Sequence, residues 1–231
     1  VNSLAISPDG RVFRARVGIE HRIFDSETGE HRYEFRSGDW NRVEFSPSGK
    51  YLVEVGPENF SVRQTDTGRM VGPASIPDAV VESMRRDTVI VYSPDESRLA
   101  FSVHPRGVGG PASDWILSLA TGVFVDSGAH GAESTSMVHS FSPDSRWLLT
   151  SSGANSGANI MQLWNAETGE PMTVGLGHAY PIRDASFSPD GRLIATATSD
   201  DQVQVWRIQN RDSPMPLEFR SAYPPLRHSD T

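Results

Sequence analysis

Close to its C-terminal end the chain carries the side-chain types of a nucleophilic triad. His178 is followed by Thr198 and Asp200. A hydroxyl that passes its proton to an imidazole, with a carboxylate to orient the ring, is the arrangement that many hydrolases use for acyl transfer. The same groups can form a purely structural network with the indole of Trp206, because a neutral imidazole donates to a carboxylate while it accepts from a hydroxyl. Which of the two functions applies depends on the elements that carry these residues.

Other chemistry that needs a metal or a phosphate has little support in the sequence. The chain has no cysteine, which excludes disulfides, thiolate metal ligands and cysteine nucleophiles. Its single lysine, Lys50, follows Gly49 without the preceding pattern of a Walker loop. Metal-ligand spacing is missing from five further histidines: His21, His31, His104, His139 and His228. The sequence therefore predicts no cofactor and no metal site.

A Ser-Pro step followed by a polar turn occurs five times and organises the chain. Its prolines are Pro8, Pro47, Pro94, Pro143 and Pro189. Alternating apolar and polar residues flank the turns, which is the pattern of a β-hairpin. A Thr-Gly step then closes a third strand in four of the units: Thr28-Gly29, Thr67-Gly68, Thr121-Gly122 and Thr168-Gly169. Four antiparallel strands in roughly 45 residues, repeated five times, predict an all-β propeller with five four-stranded blades.

The last unit resembles a WD40 repeat. The family's landmarks stand there in order: Gly177-His178, Phe-Ser-Pro-Asp-Gly at 187–191, Ser199-Asp200 and Val-Gln-Val-Trp at 203–206. The fourth unit has a similar third strand, Asn-Ile-Met-Gln-Leu-Trp, at 159–164. In the first unit Phe24 takes the position of the tryptophan, and the second and third units are degenerate, with Arg63 and Leu117 there. Five such units in phase extend the resemblance over essentially the whole chain.

The resemblance implies a structural use for the triad-like residues. In such repeats one buried hydrogen-bonded set stabilises the blade, and here it would consist of His178, Thr198, Asp200 and Trp206. The fourth unit keeps His130 and Trp164 but has Ala158 where the aspartate should be, so its set is incomplete. We therefore expect these residues to stabilise blades rather than to catalyse a reaction. The five tryptophans are assigned to the core and to packing between blades.

The resemblance also implies a scaffold that binds protein or peptide partners. Two alternatives remain open: an enzymatic propeller with a site in its central channel, or a regulatory module of a larger multidomain enzyme such as a bacterial kinase. A catalytic channel should have acidic residues or histidines at the start of the first strand in successive blades. Those positions hold a mixed set with one carboxylate: Val1, Trp40, Asp87, Ser136 and Ile182. We therefore expect no enzymatic activity.

Composition adds expectations about partners and location. The net charge is −8 and is spread along the chain, so a phosphate backbone would be repelled and a nucleic acid partner is not expected. No apolar run approaches the roughly 18–20 residues that span a bilayer, and no secretory signal is visible. We expect no membrane partner and a cytoplasmic location. Lys50 is the only lysine among 21 basic residues, which indicates a GC-rich and hence bacterial genome.

The repeats also suggest where one blade ends and the next begins. The expected blades are 1–39, 40–85, 86–134, 135–180 and 181–231. The chain starts with Val1 rather than methionine, directly at a first strand, and its residues 225–231 look like the approach to another first strand. We expect the five blades to belong to a larger ring or array that further blades or domains of the same longer chain complete.

Loop lengths point to one face of the blades as the binding face. We call the side with the Ser-Pro and Thr-Gly turns the turn face. The connection face carries the turns between second and third strands and the links between blades. All variation in length lies on the connection face, at 73–86, 104–114 and 152–159. Insertions in repeat proteins collect where partners bind, although neutral drift in tolerant loops is the alternative. The candidate contacts, centred on the third and fourth blades, are Arg85, Arg86, His104, Arg106, Asp114 and Asn155.

Shortening the 104–114 loop tests that assignment. We expect weaker capture of the partner with an almost unchanged melting temperature, because a surface loop contributes to binding without supporting the core. Binding assays and thermal unfolding of the shortened chain would measure both quantities. If the deletion leaves the affinity intact and substitutions on the turn face abolish binding, the partner binds the turn face and our assignment is wrong.

Overall fold

The structure, a computed structural model, confirms the all-β fold. It describes residues 3–56, 60–71, 88–103, 113–129, 135–153, 159–173, 175–209 and 217–223. These residues form five antiparallel sheets of four strands, and no helix occurs among them. Within every sheet the strands follow one another in chain order, so each sheet is one meander and corresponds to one blade.

The strand bounds show how evenly the blades are built. Blade 1 contains β1 (Ser3–Ile6), β2 (Val12–Val17), β3 (Glu20–Asp25) and β4 (His31–Arg36). Blade 2 contains β5 (Arg42–Phe45), β6 (Tyr51–Val55), β7 (Phe60–Gln64) and β8 (Met70–Val71). Blade 3 contains β9 (Ile90–Tyr92), β10 (Arg98–Val103), β11 (Ser113–Ser118) and β12 (Phe124–Ala129). Blade 4 contains β13 (Thr135–Phe141), β14 (Trp147–Gly153), β15 (Asn159–Asn165) and β16 (Leu176–His178). Blade 5 contains β17 (Ile182–Phe187), β18 (Leu193–Thr198), β19 (Val203–Ile208) and β20 (Leu217–Tyr223).

The Ser-Pro turn owes its shape to a fixed set of hydrogen bonds, seen here in blade 1. The Gly10 N–H donates to the Ser7 carbonyl at 2.8 Å and closes a β-turn, with Pro8 at the second position that suits its fixed φ. The Ser7 hydroxyl donates to Asp9 Oδ1 at 2.6 Å and accepts from the Val12 N–H at 3.1 Å. This hydroxyl–carboxylate bond, which lowers the pKa of Asp9, holds the hairpin together. It recurs in Ser93–Asp95, Ser142–Asp144 and Ser188–Asp190.

The Thr-Gly turn depends on a left-handed glycine, as blade 4 shows. Gly169 has a φ of +73°, and a Cβ added there would lie 2.4 Å from a Val125 methyl carbon. Its N–H donates to the Asn165 carbonyl, while the Asn165 side chain accepts from the N–H groups of Glu167 and Thr168. Glycine is needed here both for the backbone conformation and for the close approach of the neighbouring blade.

The hydrophobic core lies between consecutive blades. One cluster joins blades 1 and 2 through Val12, Ile23, Phe35, Val43 and Leu52. A second joins blades 3 and 4 through Ala100, Ile116, Val138, Phe141, Leu148, Trp164 and Ala166. The third joins blades 4 and 5 through Trp147, Leu149, Met161, Leu163, Ile182, Ala185, Ile194, Trp206 and Ile208. A blade therefore buries its apolar side chains against its neighbour, as in repeat proteins whose units cannot fold alone.

The chain divides into two compact units. One consists of Val1–Thr88 with Ser118–Phe124, and the other of Val89–Leu117 with Val125–Thr231. Blades 1 and 2 lie in the first unit, and blades 4 and 5 lie in the second. In the ranges that the structure describes, no helical segment has the length and apolarity that a membrane crossing requires.

Blade 1 contains a buried hydrogen bond between a charged arginine and a neutral histidine. His21 is 1% exposed, and its Nδ1 lies 2.8 Å from Nη1 of the buried Arg14. Since a guanidinium only donates, Nδ1 must accept, and the imidazole is neutral. The ring also stacks on Phe35, with 5.0 Å between centroids. Burial and the charge of Arg14 lower the pKa of His21 from 6.5 to about 4. A protonated His21 does not fit this blade.

The depressed pKa makes the stability of the first unit pH-dependent. Below pH 6.5 His21 binds a proton in the unfolded chain but stays neutral in the folded chain. Acid therefore favours unfolding until the pH reaches about 4, where folded His21 is protonated as well. The contribution of His21 should fall by about 2 kcal/mol between pH 6.5 and 5, at about 1.4 kcal/mol per pH unit. Glutamine in His21→Gln still provides an acceptor for Arg14 but does not titrate. The free energy of unfolding of this variant should therefore depend less steeply on pH between 6.5 and 4 than that of the wild type. Urea unfolding at several pH values measures it, with His31→Gln at the half-exposed neighbouring position as the control. Parallel pH profiles for wild type and His21→Gln would contradict this assignment.

Candidate functional site

The predicted hydrogen-bonded set of the last blade exists in altered form. His178 Nε2 lies 2.9 Å from Thr196 Oγ1, and the Trp206 indole N–H donates to the same oxygen at 3.4 Å. His178 Nδ1 lies 3.1 Å from the Leu176 carbonyl, which can only accept, so Nδ1 carries the proton and Nε2 accepts from the Thr196 hydroxyl. One threonine therefore serves both rings, and all three side chains are buried.

The assignment of Thr198 to this set was wrong. Its hydroxyl donates to Asp200 Oδ1 at 2.6 Å, within the turn that leads to the third strand. Thr196 and Thr198 are two residues apart on one strand, so their side chains lie on the same face. Trp206 pairs with Ile194 on the neighbouring strand, and Thr196 is closer to that pair than Thr198 is. Asp200 consequently orients a threonine instead of the imidazole of His178. The three groups do not form a catalytic relay, and burial lowers the pKa of His178.

Blade 4 has the same indole–hydroxyl pair at the corresponding position. In blade 4 the Trp164 indole donates to Thr150 Oγ1 at 2.8 Å, and the Leu148–Trp164 pair has the register of Ile194–Trp206. His130 and Ala158 lie outside the described residues.

Blade 2 has charged groups where blades 4 and 5 have an indole and a hydroxyl. Arg63 pairs with Leu52, and Glu54 occupies the threonine position. The buried Glu54 carboxylate accepts from Asn41 at 2.8 Å and from Ser61 at 2.9 Å, with an Arg63 nitrogen 3.9 Å away. In the degenerate repeat the buried Glu54 carboxylate is thus satisfied by an ion pair with additional hydrogen bonds.

Only one of the six candidate partner contacts falls on described residues, and it is not accessible. Asp114 is fully buried and accepts from the hydroxyls of Ser102 at 2.7 Å and Ser136 at 2.6 Å. Its assignment as a surface contact was wrong, because the carboxylate is an internal acceptor that joins blades 3 and 4. Since Ser113 and Asp114 belong to β11, the expectation of an unchanged melting temperature after loop shortening applies to deletions within 104–112. The other five lie outside the described residues: Arg85, Arg86, His104, Arg106 and Asn155.

A Ser-His-Asp arrangement does occur elsewhere, between blades 4 and 5. His139 Nε2 lies 2.8 Å from Ser151 Oγ, and its Nδ1 lies 3.7 Å from Asp184 Oδ1. The second distance exceeds a hydrogen bond. Ser151 is buried and the His139 side chain is 2% exposed, so a substrate cannot reach the hydroxyl. Burial lowers the pKa of His139, and we interpret the three residues as a contact between blades.

Sequence patterns could not reveal this arrangement. The register of β13 with β14 shifts between Val138 and Ser140, and that of β17 with β18 shifts between Ile182 and Asp184. Each shift interrupts the alternation of inward and outward side chains at the residues concerned. No cluster of three or more histidine or acidic residues suited to a metal ion occurs in the part of the chain that the structure describes.

Exposed apolar side chains mark the connection face of blades 1 and 2. Val17 and Ile19, in and beside the turn between β2 and β3, are 43% and 41% exposed, and Trp40, in the link between the blades, is 68% exposed. The prediction that all tryptophans pack in the core or between blades was wrong for Trp40. We call Val17, Ile19 and Trp40 the connection patch.

An arginine fixes the backbone beneath this patch. Arg16 Nε donates to the Gly18 carbonyl at 2.7 Å, and Arg16 Nη2 donates to the Asp39 carbonyl at 3.1 Å. The Ser37 N–H also donates to the Ile19 carbonyl at 2.9 Å. These bonds hold the turn of Val17 and Ile19 beside the link that carries Trp40, so the apolar side chains stand on a preformed support.

The altered set in blade 5 leads to a comparison of two threonine substitutions. Thr196→Val should destabilise by about 1–3 kcal/mol, because it leaves the buried His178 and Trp206 without their shared partner. Thr198→Val should cost less, about 1 kcal/mol, because its bond to Asp200 is only partly buried. Free energies of unfolding in urea would rank the two variants. A larger loss of unfolding free energy for Thr198→Val than for Thr196→Val would support the original assignment of Thr198 to the set with His178 and Trp206.

Sequence and structure comparisons agree with this geometry. The model of the family described as "WD domain, G-beta repeat" matches residues 169–207. WD repeat and SOCS box-containing protein 1 of Danio rerio is 25% identical over 182 residues, which cover 73% of this chain and 39% of that protein. DNA damage-binding protein 2 of Mus musculus is 28% identical over 71 residues, or 31% of this chain and 16% of that protein. The matches span between 8% and 39% of the curated relatives' lengths. These relatives are eukaryotic and give no support to a bacterial origin.

A solved structure supports the fold independently. The β-propeller domain of Cps50 (Swd1) from Myceliophteria thermophila aligns with a TM-score of 0.53 at 13% identity and covers 96% of this chain and 71% of its own. At that identity the likeness speaks for the fold alone. Five phased repeats, five four-stranded antiparallel sheets and a repeat model that matches residues 169–207 together support a WD40-repeat β-propeller.

Proposed function

We propose that this chain captures a protein partner on the connection face, and that the connection patch of blades 1 and 2 forms part of the contact. WD40-repeat propellers are in general scaffolds for protein–protein interaction, and this chain has the repeats and blades of that family. The single observation that carries the choice of face is the exposure of Trp40, 68%, in a link whose backbone is held by Arg16.

Trp40 has the properties of an interface anchor. A tryptophan exposed to this degree keeps a large apolar area in water, and burying it against a partner recovers a substantial part of that cost. Tryptophan is among the residues that most often dominate binding energy at interfaces. Val17 and Ile19 extend the apolar area, and the fixed backbone avoids an entropic cost of ordering the site on binding. The exposed apolar area and the fixed backbone of the connection patch therefore both favour binding of a partner.

The face chosen here agrees with the loop-length argument from the sequence. The sequence assigns the longer loops of blades 3 and 4, at 104–114 and 152–159, to the same face. Tyr180, in the link before blade 5, is half-exposed. We propose that these loops add contacts of their own, with Arg85, Arg86, His104, Arg106 and Asn155 as candidates. Each of these side chains offers hydrogen bonds or charge, which suits the rim of an interface around apolar anchors.

We propose a protein rather than a nucleic acid as the partner. One relative is named for binding to damaged DNA, so the alternative needs a physical argument. Proteins that bind a phosphate backbone concentrate lysines and arginines on the contact surface. This chain has 29 acidic against 21 basic residues, and the connection patch is apolar. Electrostatics and surface chemistry both favour a protein segment with exposed apolar side chains.

Replacement of Trp40 tests the proposal. Trp40→Ser should reduce the affinity for the partner by about tenfold or more, because interface tryptophans commonly contribute more than 1 kcal/mol. Val123→Ser removes a comparably exposed apolar side chain from a Thr-Gly turn on the turn face and should leave affinity unchanged. Proteins retained by the wild type from a lysate would be identified by mass spectrometry, and direct binding of each would then be measured with purified components. Equal affinities of the wild type and Trp40→Ser for every such partner would exclude the patch.

A further inference from the structure

The first three strands of a blade carry a row of directly paired side chains, which we call the leading row. Its members are Phe141, Leu148 and Trp164 in blade 4 and Phe187, Ile194 and Trp206 in blade 5. The row of blade 4 packs against blade 3, and the row of blade 5 packs against blade 4. Blade 2 follows the same rule, since its Leu52 packs against blade 1 and its Arg63 lies over the Phe35 ring. The leading row is therefore the surface by which a blade packs against the preceding one.

Blade 1 has a leading row as well, and it is exposed. Ile6 pairs with Phe13, and Phe13 pairs with Phe24, with 4.9 Å between the centroids of the two stacked rings. Leu4 lies on the same face, because residues two apart on a strand point to the same side. Ile6 is 69% exposed and Leu4 67%, whereas Phe141, which corresponds to Ile6, is buried. A contiguous apolar surface of this kind marks an interaction site.

Blade 5 is also apolar on the side opposite to its leading row, which we call its trailing face. Alternate residues of β18 and β19 form it: Leu193, Ala195, Ala197, Val203 and Val205. All five are partly exposed. An antiparallel sheet with one solvated face has polar side chains on that face. The composition of the trailing face therefore indicates that a second apolar surface covers it.

The contact between blades 4 and 5 shows which surface fits which. There the leading row of blade 5 packs against Leu149 and Leu163, which pair with each other one residue beyond the leading row of blade 4. Ala195 and Val205 form the corresponding pair one residue beyond the leading row of blade 5. The trailing face of blade 5 is thus the kind of surface against which leading rows pack in this chain.

We propose that the leading row of blade 1 binds the trailing face of blade 5 in a second copy of this chain, so that copies associate head to tail. The contact would repeat the packing that already joins blades 4 and 5. It is heterologous, because each copy contributes blade 1 to one contact and blade 5 to the next. Such self-association goes beyond the capture of a different protein and does not use Trp40.

The size of a blade determines how strong this association can be. Four strands of about 17–20 Å, spaced about 4.8 Å apart, form a face of roughly 300–400 Å². Contact between two such faces buries about 700 Å² in total, which is at the low end for specific association. We therefore expect reversible assembly with a Kd on the order of 10–100 µM rather than a permanent dimer.

Analytical ultracentrifugation of the whole chain tests the proposal. The average mass of the wild type should rise with concentration between about 1 µM and 1 mM. Ile6→Glu places a charge in the leading row of blade 1, and Val205→Glu places one in the trailing face of blade 5. Each should weaken association at least about tenfold, because the contact would bury an unpaired carboxylate. Val123→Glu adds the same charge at an exposed apolar residue of the turn face and should associate like the wild type.

An equimolar mixture of the two variants distinguishes head-to-tail contact from other modes. Val205→Glu keeps an intact leading row, and Ile6→Glu keeps an intact trailing face, so the mixture should form 1:1 dimers and no larger species. Where a charged variant fails to fold by circular dichroism, Ile6→Ser and Val205→Thr replace the pair and should each weaken association about fivefold.

Three results would overturn the proposal. One is a wild type that stays monomeric at about 1 mM, ten times the weakest expected Kd. Another is a mixture of folded variants that stays monomeric. The third is association that Ile6→Glu abolishes but Val205→Glu leaves intact, because two leading rows would then pack against each other.

Discussion

The constraint on which this structure depends is that a blade cannot bury its own apolar side chains. A four-stranded sheet has two faces, and the hydrophobic clusters of the described residues lie where the face of one blade meets the next. The blade 4–5 cluster illustrates this, since Trp147 and Leu149 of one sheet meet Ile194 and Trp206 of the other. Burial of large aromatic and branched side chains contributes roughly 1.5–3 kcal/mol each, which no single blade could obtain alone. Repetition in the sequence is the direct consequence, because every unit must offer a compatible surface to its neighbour.

Within that constraint the blades differ most at the polar position beside the third strand. Blades 4 and 5 use a threonine that accepts from an indole, whereas blade 2 places Glu54 and Arg63 there. Arg63 also lies over the ring of Phe35 at 4.4 Å, so the cation belongs to the packing between blades 1 and 2. An indole–hydroxyl pair is neutral and inexpensive to bury, while an ion pair needs further donors, here Asn41 and Ser61. A repeat that looks degenerate in sequence can therefore still provide partners for a buried carboxylate.

The sequence determined the fold well and the side-chain contacts poorly, for reasons that particular residues show. Phased Ser-Pro and Thr-Gly steps predicted five antiparallel blades, since proline, aspartate and left-handed glycine act locally within each turn. The partner of His178 was missed because Thr196 and Thr198 share one face of a strand, and only the register separates them. The contact of His139 with Ser151 depends on a register shift that leaves no trace in composition. Trp40 was taken for a core residue because hydrophobicity alone does not distinguish an exposed tryptophan from a packed one.

Variation at the turn position held by Glu96, Ser145 and Gly191 shows how a repeat can differ locally without a change of fold. All three residues have positive φ, so the backbone of the turn is the same in blades 3, 4 and 5. What changes is the side chain at this position. In blade 4 the serine bonds across the gap to the Asp95 N–H. In blade 5 the glycine leaves a cleft between two fixed carboxylates. Since core packing lies beneath these turns, a substitution there alters the surface chemistry between two blades while the clusters below remain intact. The turn face, whose turns are uniform in length, can in this way still differ in surface chemistry from one pair of blades to the next.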